Sequence, residues 1–358
     1  MTMSVSPIQA LISRFVADLK RRRIQGSHDV ALATANLMLR FVSATRWTHN
    51  SELISEVREL GRTLINAQPR EFACGNVVRR VLAIIRETDR DHEKGDVTGQ
   101  DIMSSMFNLL STNTEQDQSE RATERPRDTK ADIIEGIQEL IDEIDNMDDT
   151  ISGLSLDMIH ENEVLLTPTP ESRTVRDFLK RAAQKRKFSV LVTESYPNGV
   201  KAAHEAVREL AKAGIETVLI PDTTVLAVMS RVGKVIIGSR AVLANGGCMS
   251  SAGVSLVCEC AKESRTPVLC VTALYKLSPL YPFDTESVIE VGDTSQVIPF
   301  ADSECMSQLD AVNPMYDYVA PDYIDIYLTN IGGYSPSFTY RVVLDHYSSE
   351  DVSLLDSQ

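Results

Sequence analysis

The chain has 358 residues, 43% of them hydrophobic, which is enough material for two packed domains. Its 36 Lys and Arg face 51 Asp and Glu, and the net charge of −15 argues against bulk attraction to nucleic acid or to an anionic membrane surface. No apolar run reaches the roughly 18 residues of a membrane span, the N-terminal stretch lacks the layout of a signal peptide, and six cysteines in mostly apolar or small-residue surroundings read as buried, reduced thiols of a cytosolic protein.

Residues 1–87 read as an all-helical domain. Ile8, Leu11, Ile12, Phe15, Val16 and Leu19 recur at helical spacing, and Leu32, Ala35, Leu37, Leu39 and Val42 continue the pattern within 31–47. Val77, Val81, Leu82, Ile84 and Ile85 mark one side of a helix over 72–87, which also carries Arg79 and Arg80. From 88 to 130 the chain turns polar, charged and poor in aromatics, the composition of a disordered surface insertion. An apolar island at 102–110 interrupts it and reads as a transient helix or as a docking segment. Residues 131–160 regain a helical period through Ile133, Ile134, Ile137, Leu140, Ile141 and Ile144. Their other face is acidic (Glu135, Glu139, Asp142, Glu143, Asp145, Asp148, Asp149) and reads as solvated, so this helix completes the helical domain and leads out of it.

From Glu163 the period changes. VLLTPT, FSVLVTE, TVLIPD, VIIG and PVLCVTA read as strands, alternating with helical stretches at 173–185 and 200–213, the latter closed by Gly214. Such alternation predicts an α/β domain over 161–346 with a doubly wound, mostly parallel sheet, leaving 347–358 as a C-terminal tail. Within it, 322–346 reads as a helix, a Gly332-Gly333 turn and a last helix. The segment 235–279 reads as a strand, a turn centred on Asn245-Gly246-Gly247, a small-residue helix and a second strand. That turn falls beyond the carboxyl end of a strand, where open α/β sheets bind ligands. A phosphate would sit there on backbone N–H groups at the helix start.

The chemistry-bearing motifs are few. Gly246-Gly247 is no GxGxxG fingerprint and comes late in the domain, which speaks against a dinucleotide site. There is no Walker A sequence, and no Ser-His-Asp arrangement stands out. Cys258-Glu259-Cys260 lacks the second pair or the spaced histidines of a metal site, so structural cysteines are expected and no cofactor is implied.

Several longer stretches agree in order and spacing with one family. GSRAVLANGG, AKAGIETVLIPDTTVLAVMSRVGKVIIG, YKLSP, YDYVAPDYI and NIGGYSPSFTYR, with GNVVRRVLAIIRE in the helical part, closely resemble the beta (regulatory) subunits of the guanine-nucleotide exchange factor for eukaryotic translation initiation factor 2. The same fold occurs in isomerases of methylthioribose 1-phosphate and ribose 1,5-bisphosphate. The resemblance implies a Rossmann-like α/β dimerisation domain after the helical one, and a non-catalytic scaffold within a decamer of alpha, beta, gamma, delta and epsilon subunits. It also implies direct pairing with delta. The further partner it implies is the alpha subunit of initiation factor 2, phosphorylated on serine during stress or unmodified. Arg79 and Arg80 are then candidates to meet that partner's phosphate, and Asn162, Val164 and Thr167 candidates for the subunit interface.

Against the isomerases, the resemblance marks a vestigial pocket. Thr169 stands near the place of their catalytic cysteine, Arg240 in place of their catalytic Asp, and Tyr196 in place of an arginine in a Glu-Thr-Arg-Pro turn. A guanidinium stays charged and cannot serve as the acid–base group. Asp222, Asn245 and Gly246 remain, each sufficient as a turn or cap residue. The alternative kept open by the fold is an isomerase, or a relic that senses a sugar phosphate or nucleotide.

Overall fold

The computed structural model describes residues 7–95, 126–284, 289–302 and 309–354. The chain divides into two units. One comprises the chain up to Ile144 together with the chain from His346 onward; the other runs from Asp145 to Asp345.

The first unit is helical: α1 (Pro7–Lys20), α2 (Ser27–Ala44), α3 (Asn50–Ala67), α4 (Phe72–Gly95) and the first part of α5 (Pro126–Gly153). Sequence periodicity singled out α1, α2 and α4 but not α3, whose apolar positions are fewer. There Leu53, Val57, Leu60 and Leu64 recur every three or four residues and are buried. The central element is α4, which packs against both α2 and α3. Its Val77, Val78, Val81, Leu82 and Ile85 are at most 1% exposed. Along α5, Ile133, Ile137, Leu140, Ile144, Met147 and Ile151 form the buried stripe, while Glu135, Glu139, Asp142, Asp145 and Asp149 face out. Helix continues through 88–95 and 126–130, stretches assigned to a disordered insertion on their polar, charged and aromatic-poor composition. The remainder of that insertion, with the apolar island, lies outside the described residues.

Residues 347–358 set apart as a tail instead belong with the helical unit, as far as they are described. Tyr347, Asp351 and Leu354 are buried there.

The second unit holds α6 (Ser155–Met158), β1 (Val164–Thr167), α7 (Arg173–Ala183), β2 (Ser189–Thr193), α8 (Val200–Lys212), β3 (Glu216–Ile220), α9 (Val225–Met229) and β4 (Lys234–Gly238). Then come β5 (Ala241–Leu243), β6 (Cys248–Ser251), α10 (Val254–Glu263), β7 (Val268–Val271) and β8 (Leu277–Ser278). Last are β9 (Tyr316–Val319), β10 (Ile326–Thr329), β11 (Gly332–Tyr334) and α11 (Thr339–His346). The main sheet has the order β11-β10-β7-β4-β1-β2-β3, parallel except for β11. Its inner strands are almost wholly apolar and buried, as a sheet covered on both faces requires.

Two details depart from the sequence reading. The stretch 322–346 contains strands β10 and β11 where a first helix was expected, because Tyr327 and Leu328 alternate into a sheet rather than onto a helical stripe. And β4 does not run directly into its crossover helix. The parallel pair β4 and β7 is joined through a detour, in which β5 and β6 form an antiparallel hairpin inside a second sheet of order β8-β5-β6-β9. The Asn245-Gly246-Gly247 turn is the tip of that hairpin, and α10 starts only at Val254.

Candidate functional site

In the main sheet β1 is followed on one side by β2 and β3, while the chain then crosses to the other side to form β4 and β7. The topological switch point therefore lies between β1 and β4, and the crevice outside their carboxyl ends is the default ligand site of such a sheet. Thr169, Tyr196, Asp222 and Arg240 all lie in the loops leaving β1, β2, β3 and β4, so the structure brings these sequence candidates to one edge. What they do there is bond to the chain itself. The Thr169 hydroxyl, 1% exposed, accepts the Gly238 N–H at 2.9 Å, closing the switch-point crevice from β1 to β4. Ser250 donates to the Gly238 carbonyl at 2.6 Å, Ser239 to the Thr272 hydroxyl at 2.7 Å, and buried Lys276 to the Ser239 carbonyl at 3.0 Å.

Asp222 joins the ends of β2 and β3. Its two oxygens accept the Ser195 and Tyr196 N–H groups at 3.1 and 2.9 Å, the capping role its residue type favours. The Tyr196 ring is 59% exposed. Arg240 hydrogen-bonds the Tyr316 hydroxyl, and its guanidinium stacks 4.4 Å from the Tyr316 ring centre. Its side chain is thus held in place by Tyr316 through both a hydrogen bond and a stacking contact.

Asn245 and Gly246 hold the hairpin tip. Asn245 Nδ2 donates to the Tyr318 hydroxyl at 2.7 Å while its Oδ1 accepts Gly247 N–H at 3.1 Å. Gly246 has φ +85°, and its carbonyl accepts the Tyr327 hydroxyl at 2.8 Å. A Cβ there would stand 2.5 Å from the Pro336 carbonyl oxygen, so only glycine fits. The Gly246 and Gly247 amides are engaged within the hairpin, and the helix start lies several residues on, so the turn and the helix N-terminus are separate features. That start is already occupied by Asp317, whose Oδ2 accepts Gly253 N–H at 2.7 Å and Ser255 N–H at 3.4 Å. Burial holds this carboxyl above its ordinary pKa despite both bonds. Tyr316, Asp317 and Tyr318 were not singled out in the sequence. The signal was the i, i+2 repeat of YDYV, which puts both tyrosines on one face of β9.

Of the interface candidates, Asn162 is an exposed turn residue with φ +59° and Val164 is half-buried at the first position of β1. Thr167 lies at the other end of that strand, about 10 Å away, and is only 3% exposed.

In the helical unit, Arg79 is 3% exposed, and its Nε donates to the Val352 carbonyl at 3.1 Å. Burial presses its guanidinium down to about 10. Arg80 pairs with Glu87 at 3.0 Å and donates to the His346 carbonyl at 3.4 Å. It lines a groove of about 250 Å³ between α4 and α5 together with Glu87, Asp132, Glu139 and Glu143. A phosphate placed there would meet four carboxylates for one guanidinium. Arg58, Arg62 and Arg86, passed over in the sequence, are the arginines that join Arg79 around the C-terminal residues.

Cys74, Cys248, Cys258 and Cys270 are buried free thiols, and Cys260 is half-buried. Burial pushes Cys74 up to about 12 and raises Cys258 and Cys270 as well, which makes poor nucleophiles. Among the described residues no three His, Cys, Asp or Glu side chains are grouped to hold a metal, and no helix is long and apolar enough to cross a membrane.

Residues 23–336 match the Initiation factor 2 subunit family. The chain is 39% identical to the translation initiation factor eIF2B subunit beta of Schizosaccharomyces pombe, covering 99% of this chain and all of that one. It is 28% identical to a ribose 1,5-bisphosphate isomerase of Archaeoglobus fulgidus, over 62% of this chain and 70% of the other. Its structure is similar to the crystal structure of eIF2B beta from Chaetomium thermophilum, with a TM-score of 0.76 and 29% identity over 97% of this chain and 95% of that one. It is likewise similar to a chain of the tetrameric eIF2B-beta2-delta2 complex from C. thermophilum, with a TM-score of 0.71, 28% identity and 96% of each chain covered.

Proposed function

The chain belongs to the Initiation factor 2 subunit family, and on that premise we propose that it is a regulatory, non-catalytic subunit of the guanine-nucleotide exchange factor for translation initiation factor 2, working in the cytosol. The observation that carries this reading is the near-full-length similarity to beta subunits, which spans the helical and the α/β part alike. The α/β unit pairs with a delta-type subunit, a reading supported by similarity to a chain of a solved tetramer of beta and delta subunits, and alpha, gamma and epsilon subunits complete the assembly. The helical unit contributes to binding the alpha subunit of initiation factor 2, and serine phosphorylation of that partner changes how the complex holds it. Such coupling requires the ligand to bind two states of the complex with different affinity.

Relatedness to a ribose 1,5-bisphosphate isomerase gives the alternative a definite form. Two observations weigh against it in this chain. The guanidinium of Arg240, locked on Tyr316, stands where the resemblance places a catalytic Asp, and the Thr169 hydroxyl is committed to the Gly238 amide.

The test is gentle purification of the tagged chain from its own cells, with native mass spectrometry of the intact assembly. Recovery with delta-type and further subunits and with initiation factor 2 supports the proposal. Recovery as a lone homodimer that turns over aldose phosphates overturns it in favour of the isomerase.

A further inference from the structure

The C-terminal residues sit in the helical unit as a bound peptide would. Arg58, from α3, donates through Nε and Nη2 to Asp351 Oδ1 at 2.9 and 2.5 Å, and Arg86, from α4, donates through Nε to Oδ2 at 2.8 Å. Asp351 is fully buried between them. The backbone is read as well: Arg58 donates to the Glu350 carbonyl at 2.8 Å, Arg79 to the Val352 carbonyl at 3.1 Å and Arg62 to the Leu354 carbonyl at 2.8 Å. Tyr347 and Leu354, 4% and 2% exposed, anchor the segment at either end. Planar guanidinium forks that engage a carboxylate at two points and successive carbonyls at others are the means by which acidic peptides are recognised. A mere surface tether needs neither a fully buried carboxylate nor a buried Arg79.

We propose that the segment from Tyr347 to Leu354 is the built-in peptide ligand of an arginine-lined cleft on α3 and α4, and that the helical unit reaches its docking-competent form only with this ligand in place. The helical unit is therefore completed by residues that follow the α/β unit in the chain. A chain that lacks its C-terminus, or cannot seat it, presents an incomplete helical unit with unpaired guanidinium groups. The docking clause rests on the function proposed above; the cleft and its ligand do not.

Amide hydrogen exchange on the full-length chain tests this. In Asp351→Asn, which keeps the shape and removes the charge, amides of α3 and α4 exchange at least about tenfold faster while those of β1, β4 and β7 keep their rates. A synthetic peptide of residues 346–358, added to that variant, slows α3 and α4 again; the same peptide with Asp351→Asn does not. Unchanged exchange in α3 and α4, equal acceleration in both units, or no protection by the peptide overturns the proposal. Should Asp351→Asn not yield folded protein, Glu350→Gln removes only the partly exposed pair with Arg86 at 2.6 Å. It then gives an acceleration of about twofold confined to α3 and α4, and its absence or its spread to the sheet is the overturning result. Partner recovery is read in parallel. Loss of recovery in the variant alone supports the docking clause, equal recovery by variant and wild type overturns it, and failure by the wild type itself refutes the proposed function while the exchange result still judges the cleft.

Discussion

In the helical unit the interior polar groups include charged ones beside Thr34 and Asn76: Asp351 lies fully buried between Arg58 and Arg86, and Arg79 is buried beside them. Along the carboxyl edge of the α/β sheet they are mostly hydroxyls and backbone amides, with Thr167, Thr193, Ser239, Thr272 and Thr329 ending successive strands. The two solutions differ in how they fail. A hydroxyl that loses its partner leaves one modest hydrogen bond unmade. A guanidinium that loses its carboxylate leaves a charge away from water. The helical unit thus depends on distant residues in sequence, Arg58 on Asp351, whereas the sheet edge is held by many small contacts, none of them decisive.

Four measurements would break or sharpen that comparison. Phe178→Ala, at a fully buried site on α7, lowers the stability of the α/β unit by about 3–5 kcal/mol in urea unfolding. If hydrogen exchange in α1 to α4 accelerates to the same degree, the division into two units does not describe the energetics. Asp351→Ala costs the helical unit about 3 kcal/mol, the low end for breaking a buried ion pair, since Arg58 keeps some contact with solvent. A loss below about 1 kcal/mol would mean that the buried charge is incidental. Asp222→Ala frees the Ser195 and Tyr196 N–H groups just past the end of β2, at a cost of about 1–2 kcal/mol without change in the helical unit, measured by exchange of the β2 and β3 amides.

The smallest effect is a pH dependence. Burial, with the charge of Arg80 adding to it, holds the His346 imidazole down to about 3 from an ordinary value of 6.5. The folded chain therefore keeps it neutral where the unfolded chain takes up a proton. The contribution is complete above pH 6.5 and is lost progressively as pH falls towards 3. Between pH 6.5 and 5.5 this amounts to about 1 kcal/mol. His346→Gln should flatten that part of the stability profile, and an unchanged slope would assign it to other groups.

Much of this was legible beforehand. Four-residue apolar spacing found α1, α2, α4 and α5, and the change of period at Glu163 marked the passage to α/β structure. The parallel strands read from VLLTPT, FSVLVTE, TVLIPD, VIIG and PVLCVTA all form, and inner strands such as β7 are continuous apolar runs because both their faces are buried. Thr169, Tyr196, Asp222 and Arg240 were legible as residues of the loops leaving β1, β2, β3 and β4, and so of one sheet edge. Their employment was not legible. Each bonds to a residue from another strand or turn, such as Gly238 for Thr169 and Tyr316 for Arg240, and sequence spacing carries no information about such pairs. The hairpin of β5 and β6 was missed for a related reason. Its three- and four-residue strands are too short to show a period, and they exist because β8 and β9 pair with them.

The sequence by itself determined the division into a helical and an α/β part, the parallel sheet and the strand ends at which a pocket would lie, because burial imposes local periods that a chain displays wherever it is read. Only the tertiary structure decided what the charged and polar side chains do. Arg79 and Arg80 are neighbours on one helix, yet one turns inward to the Val352 carbonyl and the other lies beside a row of carboxylates. Asp351, indistinguishable in sequence from the neighbouring Glu350, is fully buried while Glu350 is exposed, because the partners that neutralise Asp351 lie 293 and 265 residues away.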